Sequence, residues 1–301
     1  MGPLGASVPQ ARAYNPDMTA RRCFAVALLL LVFAASAGAE PWPGDEAVEF
    51  GSGLPAEFEP SGAVWHPQRE TLFVVGDGGE LAELTSGGKL LNLWEIGGDL
   101  EAVAHAGGRL YLAREHPDAI LEFDPERGTM TGAEWDLTPF LRGKKNRGLE
   151  ALTFAEGAFY AGLQADGRIH VFELGEAGVV RPLRVLDGPH DEDLSGLHYE
   201  PATGVLYAIY DGADLLVELD LDAEPLREYP LPGAAQEAVA LIASCPWNRG
   251  VLVVGEDESG ELWRYSFPLS CENRWLLWAA LGAACACLAI GVNWFVRRPA
   301  G

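Results

Sequence analysis

Three glutamates and two serines stand at the start of a short phrase that recurs five times along the chain. In each copy a Ser or Glu is followed by Gly or Ala and then by an apolar run. The copies begin at Ser61, Glu101, Glu150, Ser195 and Glu237, so neighbouring copies start between 40 and 49 residues apart. Carboxylates that converge repel one another, and a bound Ca²⁺ or Mg²⁺ relieves this repulsion through oxygen ligands. If the five copies share an axis, the pattern predicts a site for a hard cation.

A second set of polar residues ends the apolar run that follows each phrase. These residues are Asp77, Glu115, Gln164, Asp211 and Glu256. They form a second candidate ring of ligands beside the first. Local structural roles are the alternative. Acidic residues are common in tight turns, and this would explain Asp77, Asp211 and Glu256. The three repeated glutamates could instead accept hydrogen bonds from backbone amides of a neighbouring repeat.

The repeat length is that of a four-stranded blade of a β-propeller. In the first repeat, turn residues separate four predicted strands: 61–65, 72–75, 80–84 and 90–94. The first strand of each blade lines the central channel in a propeller, which would bring the phrase starts to one mouth. The sequence therefore predicts an all-β, five-bladed propeller, with a sixth blade as the alternative if Leu137 to Gly148 contains a strand.

The fifth repeat lacks a fourth strand. After the runs 251–254 and 262–266 the chain offers no further strand before a long apolar segment. Residues Ala47 to Phe50 precede the first repeat and are the predicted donor. Pairing this N-terminal strand into the last blade would close the ring and leave no open edge.

The N-terminal residues resemble a secretory signal. Arg21 and Arg22 precede the apolar run 23–35, and Ala37-Gly38-Ala39 supplies the small residues of a cleavage site. We predict a signal peptide over residues 1–39, cleaved before Glu40, with Met18 as an alternative start of translation.

The C-terminal segment from Trp275 to Val296 contains 22 residues without a charge. This length crosses a bilayer of about 30 Å as a helix, and Arg297-Arg298 follow it directly. The pattern predicts an exported domain over residues 40–271, a transmembrane helix over 275–296 and a cytoplasmic tail over 297–301. The protein would then be a single-pass inner-membrane protein with its propeller on the periplasmic side; a buried core helix is the alternative for the apolar segment.

Five cysteines fit this placement. Cys245 and Cys271 are the two that lie in the exported domain, because Cys23 falls in the signal and Cys285 and Cys287 in the predicted span. An oxidising compartment permits a disulfide between Cys245 and Cys271, which is the prediction, with two free thiols as the alternative.

The charge balance and the missing motifs limit the function. The chain has 44 acidic and 21 basic residues, a net charge of −23, which disfavours nucleic acid as a partner. The basic run Lys144-Lys145-Asn146-Arg147 makes Lys145 and Arg147 candidates for an anion, with an ordinary surface loop as the alternative. No G-x-S-x-G, H-E-x-x-H or C-x-x-C motif for nucleophilic or zinc chemistry occurs.

Four motifs resemble the blade signatures of the SdiA-regulated (YjiK-like) β-propeller family. They are Asp99-Leu100-Glu101-Ala102, the run 146–152 (Asn-Arg-Gly-Leu-Glu-Ala-Leu), Asp193-Leu194-Ser195-Gly196-Leu197 with Gly204-Val205-Leu206-Tyr207, and Gln236-Glu237-Ala238 followed by Val253-Val254-Gly255-Glu256. Glu59-Pro60-Ser61-Gly62 resembles the opening of that family. The chain departs from the pattern where Ala replaces the usual Gly after each repeated glutamate and where Gln164 replaces an acidic residue. The resemblance implies the propeller fold and says little about activity.

Two function classes remain from the sequence. The first is a membrane-anchored binding or sensing module for a small ligand or an envelope protein, with a cation site at the channel. The second is a metal-dependent hydrolase, phosphoesterase-like or lactonase-like, in which a cation held by carboxylates activates water. The binding module is favoured because no general acid or nucleophile stands beside the repeated carboxylates.

Overall fold

The computed structural model describes residues 39–141, 147–191 and 193–271, and within them twenty strands form five four-stranded antiparallel sheets. Residues 1–38 of the predicted signal peptide, the predicted span 275–296 and the predicted tail 297–301 lie outside these ranges, as does Lys145. The described ranges contain no helix with the length and apolar character needed to span a membrane.

The strands follow the chain blade by blade. The first blade consists of β2 (Pro60–His66), β3 (Thr71–Gly76), β4 (Glu80–Thr85) and β5 (Leu90–Glu95). The second consists of β6 (Asp99–Ala106), β7 (Arg109–Glu115), β8 (Ala119–Asp124) and β9 (Thr129–Asp136). The third consists of β10 (Leu149–Ala155), β11 (Ala158–Leu163), β12 (Ile169–Leu174) and β13 (Val180–Leu186). The fourth consists of β14 (Leu194–Glu200), β15 (Val205–Tyr210), β16 (Leu215–Leu219) and β17 (Pro225–Pro230).

The fifth blade is assembled from both ends of the domain. It contains β18 (Gln236–Ser244), β19 (Arg249–Glu256), β20 (Glu261–Pro268) and the N-terminal β1 (Val48–Phe50). Strand β1 runs antiparallel to β20, with Val48 opposite Arg264 and Phe50 opposite Leu262. The predicted strand donation is confirmed, with the strand beginning one residue after Ala47.

The innermost strands close a ring. Each of β2, β6, β10, β14 and β18 packs against the next, and β18 packs against β2. The described part of Leu137 to Gly148 contributes no strand to a sheet, and Leu137 and Leu141 are instead buried between the second and third blades. The five-bladed prediction is confirmed, and the six-bladed alternative is wrong.

The core lies between the blades. Five clusters of buried side chains each join two neighbouring blades, and the closing cluster packs Ala63 and Leu72 of the first blade against Ala238 and Val253 of the fifth. Burial of apolar surface at all five interfaces holds the inner strands in fixed positions around the channel. Side chains on these strands are therefore presented by a rigid frame.

A disulfide joins Cys245 to Cys271 within the last blade. Cys245 follows β18 and Cys271 follows β20, and their Cα atoms lie 5.5 Å apart. In the chain-entropy account, closing a loop of this size stabilises the fold by about 3 kcal/mol. The bond ties down the end of the described chain next to the blade that closes the ring.

Candidate cation site

Each recurring phrase folds as a β-bulge near the start of an innermost strand. In the second blade Leu100 pairs with Arg114 and Ala102 pairs with Ala113, so Glu101 has no partner in the ladder. The pairing skips the equivalent residue in the other four blades, namely Ser61, Glu150, Ser195 and Glu237. A bulge bends the strand and redirects the side chain of the extra residue. The phrase therefore encodes the same bulge in every blade.

The small residue after each bulge allows the neighbouring blade to approach. A Cβ atom on Gly62 would lie 2.6 Å from the Cα of Ala102, and one on Gly196 would lie 2.5 Å from the carbonyl oxygen of Glu237. Real side chains do not tolerate such distances to backbone atoms. The Gly or Ala of the phrase thus reflects close packing of the bulges around the axis.

The three repeated glutamates project into one cavity of about 430 Å³ at the bulge end of the channel, which we call the acidic mouth. Its lining residues are Asp77, Asp99, Glu101, Glu115, His116, Glu150, Gln164, Glu237 and Asp257. Seven of these carry carboxylates, and among the described lining residues His116 supplies the basic group. The structure thus brings Glu101, Glu150 and Glu237 together with Asp77 and Glu115 from the second predicted set.

The second ring differs from the prediction in its last member. In three blades the ring residue donates its backbone N–H to the carbonyl of the residue two positions before the bulge. These ring residues are Asp77, Gln164 and Asp211. In the fifth blade Asp257 makes this bond, to the carbonyl of Ala235 at 2.9 Å, and Asp257 lines the acidic mouth. Glu256 instead remains in the ladder and accepts a hydrogen bond from the Ser259 hydroxyl, so the ring position predicted for Glu256 is held by Asp257.

Three other predicted ligands bond to the backbone instead of lining the acidic mouth. The Ser61 hydroxyl donates to the carbonyl of Glu59 at 3.2 Å, and the Ser195 hydroxyl donates to the carbonyl of Gln236 at 2.9 Å. Asp211 accepts the backbone N–H of Gln236 at 3.0 Å. The two serines border a narrow space of about 10 Å³, which we call the waist of the channel. Neither serine lines the acidic mouth. The placement of Ser61, Ser195 and Asp211 in the cation site is corrected accordingly.

Glu115 is held from two sides. Its Oε1 accepts the backbone N–H of Gly148 at 2.6 Å, and its Oε2 lies 2.7 Å from Nδ1 of His116. The same nitrogen lies 3.1 Å from Oδ2 of Asp99. The hydrogen bond with Asp99 and the nearby Glu115 carboxylate raise the pKa of His116, which favours the imidazolium form. One histidine therefore links two carboxylates on neighbouring strands.

Burial and mutual repulsion raise the pKa values of the central carboxyl groups. Burial, followed by the charge of Glu150, raises the pKa of Glu101 to about 11. Burial, followed by the charge of Glu115, raises the pKa of Glu150 to about 7. Burial, followed by the charge of Asp257, raises the pKa of Glu237 to about 9. At neutral pH the metal-free mouth consequently retains protons on these carboxyl groups. A bound cation would favour their charged, deprotonated form.

Six of the lining side chains have ligand atoms close enough to share a metal ion. Three overlapping groups each bring one ligand atom per residue within 4.8 Å of the others: Asp77, Asp99 and Glu101; Glu101, Glu115 and Glu150; and Asp99, Glu115 and His116. The first two groups offer oxygen alone, which suits Ca²⁺ and Mg²⁺. The third adds an imidazole nitrogen, a ligand that transition metals accept more readily.

The predicted anion site is not assembled in the described residues. Arg147 forms an ion pair with Asp193, and its Nε donates to Oε1 of Gln164 at 3.4 Å. It therefore lies at the edge of the acidic mouth beside Gln164. Its predicted companion Lys145 lies outside the described residues.

Comparison with protein families now identifies the group to which the chain belongs. The family model described as SdiA-regulated matches residues 53–160 and 179–273. This chain belongs to the SdiA-regulated family. The resemblance inferred from the blade motifs is thereby confirmed.

Three solved structures that match this chain are distant from it in sequence. Regucalcin from Agrobacterium tumefaciens, a calcium-binding protein, is 14% identical over 78% of this chain and 100% of its own, with a TM-score of 0.51. A streptogramin B lyase is 14% identical over 76% of each chain, with a TM-score of 0.42. Virginiamycin B lyase from Staphylococcus aureus is 13% identical over 69% of this chain and 66% of its own, with a TM-score of 0.41. At this identity the likeness to regucalcin supports the fold alone.

Sequence reasoning missed Asp99, His116 and Asp257. Asp99 stands two residues before a repeated glutamate, and Asp257 stands one residue after the acidic residue that was chosen. Asp99 could have been found by aligning the repeats on the bulge, because Glu59 and Asp193 stand at the same position in their repeats. That alignment would not have found Asp257, which stands further from its bulge than any other ring residue does from its own. His116 carries no repeat signal, because its place beside Asp99 depends on the pairing of β6 with β7.

Proposed function

We propose that this protein is a membrane-anchored, extracytoplasmic binding module that holds Ca²⁺ or Mg²⁺ in its acidic mouth and captures a small ligand or an envelope protein there. The observation that carries this proposal is the burial of Glu101 and Glu150, which are 8% and 9% exposed, inside a ring of further carboxylates. Such a cluster is costly without a positive charge, and a divalent ion stabilises all of its members together.

A bound cation would leave the mouth suited to an acidic or polar ligand. The cavity of about 430 Å³ is larger than a single ion requires, so a ligand group such as a carboxylate or phosphate has space to complete the coordination sphere. Regucalcin provides a precedent for calcium binding in a propeller of this fold.

The membrane anchor and the export signal are part of the proposal. Their support is the sequence pattern at both ends, together with the disulfide between Cys245 and Cys271, a bond typical of oxidising compartments. Fractionation of cells that express the full chain tests this part: the protein should remain with the membrane after a carbonate wash and should be digested by protease added to the periplasmic side.

Titration calorimetry of the chelator-treated propeller (residues 40–271) with Ca²⁺ and with Mg²⁺ tests the cation site. Saturable binding by the wild type and its loss in Glu101→Gln are expected. Glu256→Gln is the matched control, because Glu256 carries the same group at the end of β19 and does not line the mouth, and it should bind as the wild type does. Absence of binding in the wild type, or equal loss in both variants, would overturn the cation site.

Hydrolysis of a phosphoester or lactone is the second candidate function, and His116 is the observation that favours it. Its Nδ1 lies within 3.1 Å of both Glu115 and Asp99, two carboxylates that would hold the cation, so the imidazole would be placed for proton transfer where the cation would activate water. Metal-dependent turnover of such substrates by the wild type, lost in Glu150→Gln, would establish this candidate. Ligand capture without turnover by any variant would leave the binding module.

A further inference from the structure

The channel opens at its other end into a second cavity of different chemistry, which we call the apolar mouth. Its volume is about 640 Å³. Its larger apolar lining residues are Trp65, Phe154, Tyr199, Leu241 and Ile242. These residues stand near the C-terminal ends of the innermost strands, whereas the bulges that form the acidic mouth stand at the starts of the same strands.

The described chain also ends on the side of the apolar mouth. Strand β20 runs parallel to β18, since both pair antiparallel with β19, and Pro268 at its end lies opposite Arg249, which in turn lies opposite Ser244. The disulfide then fixes Cys271 to Cys245, the residue that follows β18. The disulfide therefore holds Cys271 next to the C-terminal end of β18, whose residues Leu241 and Ile242 line the apolar mouth.

The predicted membrane span begins at Trp275, four residues after Cys271. Four residues reach at most about 14 Å even when fully extended. The bilayer surface must consequently lie close to this end of the propeller if the segment 275–296 crosses the membrane. Two large apolar side chains are exposed in turns at the same end: Trp247, 79% exposed, next to the disulfide, and Val179, 60% exposed.

We propose that the apolar mouth lies against the bilayer and that the acidic mouth faces away from it. This inference rests on the proposed anchor and adds the orientation of the domain. Tryptophan is favoured at the membrane interface, and in this orientation the exposed Trp247 would lie there. The apolar cavity would then open toward lipid, and the cation site toward the envelope space where soluble ligands are found.

Depth-dependent fluorescence quenching in phosphatidylcholine nanodiscs tests the orientation. The full chain, with Cys23, Cys285 and Cys287 replaced by alanine, receives one labelled cysteine at a time. Ala202→Cys and Ala213→Cys form a matched pair, because both alanines are exposed and they stand beyond opposite ends of β15. Val179→Cys and Asp187→Cys form a second pair across β13, in case one substitution disturbs folding.

Spin-labelled lipid headgroups should quench the labels at 202 and 179 at least about two-fold more strongly than those at 213 and 187, since a strand of six residues separates the ends by about 17–20 Å. Equal quenching across both pairs, or stronger quenching at 213 and 187, would overturn the orientation while leaving the anchor intact. Failure of the full chain to enter nanodiscs would overturn the orientation and the anchor together, and the calorimetric test of the cation site would be unaffected.

Discussion

At one end of the five innermost strands seven carboxylates surround the channel, whereas at the other end the lining is mainly aromatic and aliphatic, with polar side chains such as His105 and Glu200 among them. The acidic end begins with a bulge in every blade, and the apolar end continues in regular antiparallel pairing. In regular pairing alternate side chains pack between blades, which favours apolar residues. A bulge releases one residue from that pattern, and three of the five bulges place a carboxylate in the channel.

The two ends of the channel differ in their electrostatics, because unfavourable charge repulsion is concentrated in the acidic mouth. The apolar mouth combines apolar packing with hydrogen bonds such as that from the Tyr199 hydroxyl to Glu156, while the acidic mouth gathers buried carboxyl groups that repel one another. A ligand that binds the folded protein but not the unfolded chain can offset charge repulsion of this kind. A cation is the simplest such ligand.

The largest effect is expected at the waist, which joins the two mouths. Gly62→Ala should lower the free energy of unfolding by about 1–3 kcal/mol, because the new Cβ would meet the backbone of Ala102 at 2.6 Å. Gly87→Ala is the control, since the nearest atom to its new Cβ is 3.7 Å away. Urea unfolding measures both. A Gly62→Ala protein as stable as Gly87→Ala would show that the blades do not need this close approach.

The pH dependence of stability should separate the carboxyl groups of the acidic mouth from the histidines of the apolar mouth. Without metal, folded Glu150 and Glu237 keep protons up to pKa values of about 7 and 9, whereas the ordinary pKa of a glutamate is 4.5. The folded state thus binds more protons above pH 4.5, and stability should fall as the pH rises from 5 to 9. At the apolar mouth burial lowers the pKa of His105 and of His198 to about 4, from 6.5, so their contribution is complete above pH 6.5 and is lost as the pH falls toward 4.

Thermal unfolding in chelator from pH 4 to pH 9 tests this separation. Glu150→Gln should flatten the loss of stability between pH 5 and 9, and His105→Asn should change the acidic side alone. A Glu150→Gln profile that parallels the wild type would contradict the burial of a proton-binding carboxyl group in the acidic mouth.

The smallest effect is expected for the serines of the bulges. Ser61→Ala removes one hydrogen bond to the Glu59 carbonyl and should cost about 1 kcal/mol of stability. The cation affinity should stay at the wild-type value, because Ser61 borders the waist and not the acidic mouth. A marked fall in affinity measured by calorimetry would return Ser61 to the list of ligands.

The blades and their closure could be predicted because each rests on a local pattern. The repeated phrase and the turn residues predicted the strands, and the missing fourth strand of the last repeat predicted the pairing of β1 with β20. The convergence of Glu101, Glu150 and Glu237 followed from the repeat as well. Nothing in the same pattern distinguished a serine that bonds to its own blade from a glutamate that reaches the channel.

The remaining site residues depend on pairing register and on contacts between strands. Asp257 replaces Glu256 because Glu256 pairs with Gln236, the ladder position that Gly76, Leu163 and Tyr210 occupy in their blades, and the ring residue is the next one along the chain. His116 joins the site through strand pairing that places Asp99 opposite Glu115. The apolar mouth also escaped prediction, because its side chains come from the ends of five separate strands and show no common sequence motif.

Proton release on Ca²⁺ binding tests the central claim most directly. Calorimetric titration of the metal-free propeller at pH 6 and pH 8, in buffers of different ionisation enthalpy, gives both the affinity and the number of protons released. Tighter binding at pH 8 and net proton release are expected, since the cation must displace protons from carboxyl groups whose pKa values are raised to about 7 or above. Binding of equal affinity at both pH values with no proton release, or no binding at either, would contradict the central claim.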